Sequence, residues 1–144
     1  MMISALLSII IFNSKLKKHG FVTMYKKYVK DCECHPARLH SPDEAVRIDK
    51  AIVDWANVLE QTCILVPFEA KCIHKSFILY KIIRKKYQVR ISLVVGVNPF
   101  PFSAHAWLKI GDSNIFEDDY ETSKYIIMLR SDETNEVGTV EHKL

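Results

Sequence analysis

The sequence predicts an α+β domain, with helices in the first half of the chain and an antiparallel sheet in the second. Up to about residue 86, apolar residues recur at the three- to four-residue spacing of buried helix faces. Beyond it, β-branched runs alternate with turn residues. Hydrophobic residues make up 49% and charged residues 26% of the 144, which suits one globular domain with a buried core.

The first predicted element is an apolar run over residues 2–12, followed by lysines at 15, 17 and 18. The run is shorter than the roughly 20 residues of a membrane span. No basic segment precedes it and no small-residue cleavage site follows, so it does not resemble a signal peptide. We therefore expect a buried or amphipathic helix, and leave open whether it touches a membrane or a partner. Residues 16–29 continue the helical pattern.

A break over residues 31–42 ends in a strong helix start. Ser41 suits the cap position, Pro42 the first helical position, and the acids that follow favour the positive end of the helix dipole. One buried face is predicted for this helix, formed by Ala45, Ile48, Ile52, Trp55 and Leu59. A further helix is expected over about 70–86, with Cys72 in its first turn.

The predicted strands are residues 89–97, 104–110, 115–118 and 125–129. The second and third are joined by a turn over 111–114, whose composition suits a hairpin. From residue 131 the sequence is polar, and we expect a frayed tail. The whole chain, 1–144, is interpreted as a single domain with a helical N-terminal region at 1–42, a core at 43–130 and the tail at 131–144.

A cysteine at a helix start, a histidine on a strand and acids after a hairpin follow one another in the chain. This is the order of Cys-His-acid triads in papain-like and transglutaminase-like folds. The positive end of a helix stabilises a thiolate, an imidazole can take the thiol proton, and a carboxylate can orient the imidazole. Cys72 and His105 fit the first two roles. By itself the pattern is weak, because a cysteine, a histidine and an acid occur in most chains of this size and a cysteine is often just a small buried hydrophobe.

The sequences of two segments strengthen the pattern: residues 72–80 are CIHKSFILY and residues 104–108 are AHAWL. Together they resemble the leader peptidases of bacterial lasso-peptide pathways, which are transglutaminase-like. In that family a Cys-Leu-x-x-Ser-x-x-Leu-Tyr helix precedes a Gly-Val strand and a His-Ala-Trp-Val-Glu strand. The resemblance covers residues 43–130, which would make that region the catalytic core of a papain/transglutaminase-like cysteine protease.

The resemblance implies a Cys-His-Asp triad in which Cys72 is the nucleophile and His105 the base. An ungapped count from His105 puts Glu117 at the position of the family's aspartate, whereas one extra turn residue puts Asp118 there. Asp118 is preferred, Glu117 is the alternative and Asp119 the third choice. Trp107 shares a strand face with His105. It is assigned to substrate binding, with a core position that shields the imidazole as the other interpretation.

The same resemblance implies removal of the leader from a ribosomally made precursor peptide. Because no export signal is seen, the cytoplasm is expected, with the four cysteines reduced. The leader is expected to be presented by a separate recognition protein, and an ATP-dependent cyclase would act next. The hydrolysis needs no cofactor. We expect no metal at Cys32, Cys34, His35 and His40, because zinc motifs use Cys-x-x-Cys rather than Cys-x-Cys spacing. A net charge of +3 does not indicate a nucleic-acid partner.

Three other functions stay open at this point. The same triad supports acyl transfer to an amine, as in transglutaminases. A protein without catalytic activity that only presents the precursor to another enzyme has the same sequence features. The lysine clusters alone are also compatible with a helical scaffold that has a basic surface.

Overall fold

The computed structural model describes residues 1–132, and these divide into two compact units. The first comprises residues 1–90 and the second begins at residue 91. The boundary lies within the segment predicted as the core, 43–130. Each unit is described by itself below. The helices-then-sheet order confirms the predicted α+β class.

The first unit is helical. Its elements are α1 (Met2–His19), α2 (Phe21–Glu33), α3 (Pro42–Leu65), α4 (Cys72–Ile82) and a π-helical segment (Ile83–Tyr87). The helical pattern predicted over 16–29 is interrupted in the structure, because Gly20 separates α1 from α2 at a φ of 78°. Glycine reaches this left-handed region at no steric cost, so the chain turns there. No helix among the described residues is long and apolar enough to cross a membrane.

The α3 start confirms the prediction made from its sequence. Ser41 Oγ accepts a hydrogen bond from Glu44 N at 3.3 Å, and Pro42 occupies the first helical position. The capping hydroxyl satisfies one of the N–H groups that a helix start leaves without an acceptor. Most of the predicted apolar face is buried: Ile48, Ile52, Trp55 and Leu59.

An aromatic cluster holds α1, α2 and α4 together. Phe77 of α4 is fully buried, and its ring centroid lies 5.3 Å from that of Phe12 and 5.5 Å from that of Tyr28. Arg84, also buried, donates to the carbonyl oxygens of Cys32 and His35. The guanidinium therefore ties the end of α2 to the π-helical segment, and its charge is solvated by backbone dipoles.

The second unit is a four-stranded antiparallel sheet in the order β3-β2-β1-β4. The strands are β1 (Ser92–Pro99), β2 (Phe102–Ile110), β3 (Ser113–Ile115) and β4 (Ile126–Arg130), and a short helix, α5 (Asp119–Ser123), precedes β4. Gly96 pairs with His105 and Val94 with Trp107 across β1 and β2. Because side chains alternate between faces, His105 and Trp107 lie on the same face of β2.

The polar tail begins later than predicted. Ser131 N donates to Leu93 O at 3.0 Å, and Leu93 N donates to Ser131 Oγ at 2.8 Å. These two bonds attach Ser131 to β1, and its side chain is buried. The remainder of the predicted tail, residues 133–144, lies outside the described residues.

Candidate active site

Cys72 is the first residue of α4, as the sequence predicts, and it is half-buried. The N-terminus of a helix carries a partial positive charge, because its first N–H groups have no acceptor within the helix. A thiolate at this position is favoured over one in the middle of a helix, since the thiolate gains from that charge and the thiol does not.

His74 determines how the first turn of α4 is built. Its ring Nδ1 accepts a hydrogen bond from Lys71 N at 3.0 Å, and the backbone N–H of His74 donates to Lys71 O at 2.9 Å. His74 is only 4% exposed, and it packs beside the rings of Phe12 and Phe68. Burial lowers the pKa of His74 below its ordinary value.

In the second unit, the imidazole of His105 is paired with a carboxylate. Its Nε2 lies 3.0 Å from Glu117 Oε1, and both side chains are partly exposed. An ionised carboxylate only accepts, so Nε2 carries the hydrogen and Nδ1 keeps the lone pair. Glu117 therefore fixes the tautomer in which Nδ1 is the nitrogen that can take a proton.

The preferred acid of the sequence analysis, Asp118, has a different role in the structure. Its carboxylate accepts from Tyr120 N at 2.7 Å and caps the short helix α5. Asp119, the third choice, accepts from Asn114 Nδ2. The acid beside His105 is Glu117, the position given by the ungapped count, because the turn after β3 contains no extra residue. Phe116, at a φ of 61°, reverses the chain just before Glu117.

Two aromatic rings pack against the His105 imidazole. The Trp107 ring is stacked on it at a centroid distance of 5.8 Å, and the Tyr125 ring is tilted against it at 5.3 Å. Trp107 is only 2% exposed, and its Nε1 donates to Asn114 Oδ1 at 3.0 Å. So little accessible surface does not favour the substrate-binding role assigned to Trp107. Its geometry is that of a core residue that holds the imidazole.

Two of the other cysteines, Cys32 and Cys63, are less suited to nucleophilic attack. Burial raises the pKa of Cys32 to about 11 and also raises that of Cys63, so both favour the protonated thiol. In the segment where no metal site is expected, Cys32 is buried whereas Cys34 is exposed. The imidazole of His35 is bonded to Asp31 O at 3.0 Å.

The order of these residues agrees with a comparison with known families. A sequence profile described as the transglutaminase-like superfamily matches residues 19–130, a range that contains Cys72, His105 and Glu117. The chain belongs to the transglutaminase-like superfamily. That superfamily includes both cysteine peptidases and acyl transferases. No curated protein and no solved structure matches the chain significantly. The match confirms the transglutaminase-like interpretation, and the role in lasso-peptide processing stays a prediction.

Sequence analysis of this transglutaminase-like chain missed Asn114. This residue accepts from Trp107 and donates from Nδ2 to Asp119 Oδ1 at 2.6 Å and to Thr122 Oγ1 at 2.8 Å. It thereby links β3 and α5 to the ring that supports His105. The signal in the sequence was weak, because an asparagine after Gly-Asp-Ser is typical of a turn.

Gly96 is the second residue that the sequence analysis missed. A Cβ on Gly96 would lie 2.8 Å from Tyr125 Cβ and 3.0 Å from Trp107 Cη2. The missing side chain is therefore what allows both rings to approach the strand that pairs with His105. A glycine within an otherwise β-branched strand is a recognisable sign of such a close approach.

Proposed function

We propose that this chain is a cysteine peptidase in which Cys72 is the nucleophile, His105 the base and Glu117 the orienting acid. The observation that carries the proposal is the 3.0 Å pair of His105 and Glu117 in a transglutaminase-like chain. A histidine on a strand that is paired with a carboxylate from the following turn is the arrangement that a thiol nucleophile requires of its base.

The reaction consists of two acyl transfers. His105 Nδ1 takes the thiol proton of Cys72, and the thiolate sulfur attacks the carbonyl carbon of the scissile peptide. The C–N bond breaks as the imidazolium of His105 gives its proton to the leaving amine. Water then attacks the thioester carbon, loses a proton to His105, and the C–S bond breaks to release the carboxylic acid and restore the thiol. Glu117 stabilises the imidazolium in both steps.

We propose that the substrate is the precursor of a lasso-type peptide, cut between leader and core in the bacterial cytoplasm. Support comes from the resemblance of residues 72–80 and 104–108 to leader peptidases. A separate leader-binding protein would present the precursor, because tethering raises the effective concentration of the scissile bond without changing the triad. The freed amine would then be the substrate of the ATP-dependent cyclase.

The second candidate is acyl transfer to an amine, favoured by membership of a superfamily that includes acyl transferases. The two reactions share the thioester and differ in what attacks it. Hydrolysis of a backbone bond yields two peptide fragments, whereas transfer from a glutamine side chain releases ammonia and adds the amine to the peptide. Mass spectrometry of the products separates the two.

The test compares Cys72→Ala with Cys63→Ala, which removes the thiol of another half-buried cysteine in the same unit. Each variant is incubated with a lasso-type precursor, with and without the leader-binding protein, and the masses of the products are measured by mass spectrometry. Cys72→Ala should abolish cleavage, Cys63→Ala should retain it, and the partner should accelerate the wild-type reaction. Cleavage by Cys72→Ala at the wild-type rate would contradict the nucleophile assignment. A folded wild-type chain whose Cys72 reacts with thiol probes no faster than Cys34 would favour the non-catalytic adaptor.

A further inference from the structure

His74, two residues after Cys72, is buried, and both of its ring nitrogens form hydrogen bonds within the protein. Nδ1 accepts from Lys71 N at 3.0 Å, and Nε2 lies 3.1 Å from Asn13 Oδ1. Because Nδ1 accepts from a backbone amide, Nε2 must carry the hydrogen and donate to Asn13. The neutral imidazole is thus held in one tautomer and one orientation by α4 on one side and α1 on the other.

This arrangement is the second half of a capping box, with an imidazole in place of the usual glutamate or glutamine. The backbone of Lys71 is bonded in both directions, since its carbonyl accepts from His74 N at 2.9 Å while its N–H donates to the ring. A lysine side chain has no acceptor and cannot cap the helix itself. His74 is therefore the side chain that fixes the residue immediately before Cys72.

The ring is also confined from the side. The Phe12 ring of α1 meets it edge-on at 5.4 Å, and the Phe68 ring of the preceding loop lies at 5.9 Å. Rotation of the imidazole away from Lys71 would break both hydrogen bonds and open this packed cluster. The first turn of α4 is consequently attached to α1 through one side chain.

We propose that His74 is a positioning residue for Cys72, holding the first turn of α4 so that the sulfur stays at the positive end of the helix. Without His74, the first turn frays, the helix starts later, and Cys72 leaves the region where a thiolate is stabilised. His74 takes no part in proton transfer. The inference uses the proposed function only in taking Cys72 as the reactive thiol.

The experiment measures the reactivity of Cys72 rather than peptide cleavage. The full chain is alkylated with iodoacetamide between pH 5 and 10, and mass spectrometry gives the rate at Cys72, with the exposed Cys34 as internal reference. The variants are His74→Ala, His74→Gln and, as a control, His19→Ala, which removes an exposed histidine at the end of α1. Circular dichroism sets a temperature at which all are folded.

His74→Ala should slow alkylation of Cys72 at pH 7 by about three- to tenfold relative to Cys34, with the midpoint of its pH profile moved upward. His74→Gln should restore the wild-type profile, because glutamine Oε1 can accept from Lys71 N as in an ordinary capping box. His19→Ala should leave the profile unchanged. A structural role alone would affect all cysteines together and would not be rescued by glutamine.

A Cys72 profile that His74→Ala leaves unchanged would overturn the inference, and so would a glutamine variant that behaves like alanine. The proposed function fails by a different result, which is cleavage by Cys72→Ala. If Cys72→Ala is inactive and His74→Ala alkylates normally, then the peptidase assignment stands and the positioning role of His74 does not.

Discussion

Cys72 and His105 are positioned by different means. Cys72 occupies the first residue of a helix, and its surroundings are set within four residues by the bonds between Lys71 and His74. His105 lies in the middle of β2, opposite Gly96. Its ring is held by Trp107 of the same strand, and by Glu117 and Tyr125, which follow later in the chain.

The difference shows what positions the reactive side chain in the helical unit, here called the helix half, and in the sheet unit, the sheet half. A helix start is a local structure, so a single capping side chain can fix it, as Ser41 does for α3 and His74 for α4. The imidazole in the sheet depends on strand register and on turns that bring distant residues together. We therefore expect the sheet half to be more sensitive to single substitutions than the helix half.

The largest expected effect is at the acid of the sheet half. Glu117→Gln should lower the turnover of peptide cleavage by about a hundredfold or more, because His105 loses the charge that orients its ring and stabilises the imidazolium. The neighbouring Asp118→Asn makes the same chemical change. It should cost less than about threefold, because asparagine caps a helix as well as aspartate does.

Steady-state kinetics on the precursor measures both variants, with thermal unfolding to confirm that each is folded. The reverse ranking would mean that Asp118 rather than Glu117 acts on His105 during catalysis. Equal losses would mean that the turn after β3 acts as a unit, and that the one-residue distinction between the two acids has no functional meaning.

The second expected effect tests the packing that supports His105. Gly96→Ala would place a methyl group 2.8 Å from Tyr125 Cβ and 3.1 Å from Ile126 O, so the β4 side of the sheet must shift. Overpacking of this kind costs about 1–3 kcal/mol of unfolding free energy. Urea unfolding followed by circular dichroism measures the loss. Ser103→Ala, at a half-buried position on the paired strand, is the control that should stay within about 0.5 kcal/mol.

Unchanged stability in Gly96→Ala would show that Trp107 and Tyr125 move aside at little cost. In that case the aromatic rings would not be a rigid support for His105. The contrast between a locally fixed Cys72 and a long-range support for His105 would then rest on Glu117 alone.

The same contrast explains what the sequence could predict. The α3 start followed from Ser41 and Pro42, and the Cys72 position followed from the apolar stripe behind it, because helix signals lie within a few residues. The acid depends on the conformation of one turn, where Phe116 adopts a positive φ that its side chain does not favour. A local signal was nevertheless present: Asp118 followed three residues later by Glu121 is the pattern of a helix start, which assigns Asp118 to capping.

The burial of His74 and the contact between Trp107 and Asn114 could not be predicted from such local signals. His74 is buried because Asn13 and Phe12 of α1 meet it, 61 residues away in the chain in the case of Asn13. Trp107 is bonded to Asn114 of β3 and packs against Tyr125, which follows α5 in the chain. Both depend on tertiary packing, which spacing within a single helix or strand does not specify.

The smallest expected effect concerns acid sensitivity of the helix half. The folded-state pKa of His74 lies below its ordinary value of about 6.5 because burial outweighs the hydrogen bond with the Lys71 backbone, which raises it; the nearby Lys71 charge also lowers it. Its neighbours from α1 and the loop are the uncharged Asn13, Phe12 and Phe68. The stabilisation by neutral His74 is therefore fully present above about pH 6.5, and is lost as the pH falls through that value towards the folded-state pKa.

We expect the free energy of unfolding of the wild type to fall more steeply below pH 6.5 than that of His74→Gln, by at most about 1.4 kcal/mol per pH unit for one proton. Urea titrations at pH 7.5, 6.0 and 5.0 measure the difference. Glutamine accepts from Lys71 N without titrating, so it separates capping from charge. Parallel pH curves for wild type and His74→Gln would mean that the α4 start tolerates a charged imidazole. The hydrogen bond from Lys71 N to His74 would then contribute less to the position of Cys72 than the packing of Phe12 and Phe68 around the His74 ring.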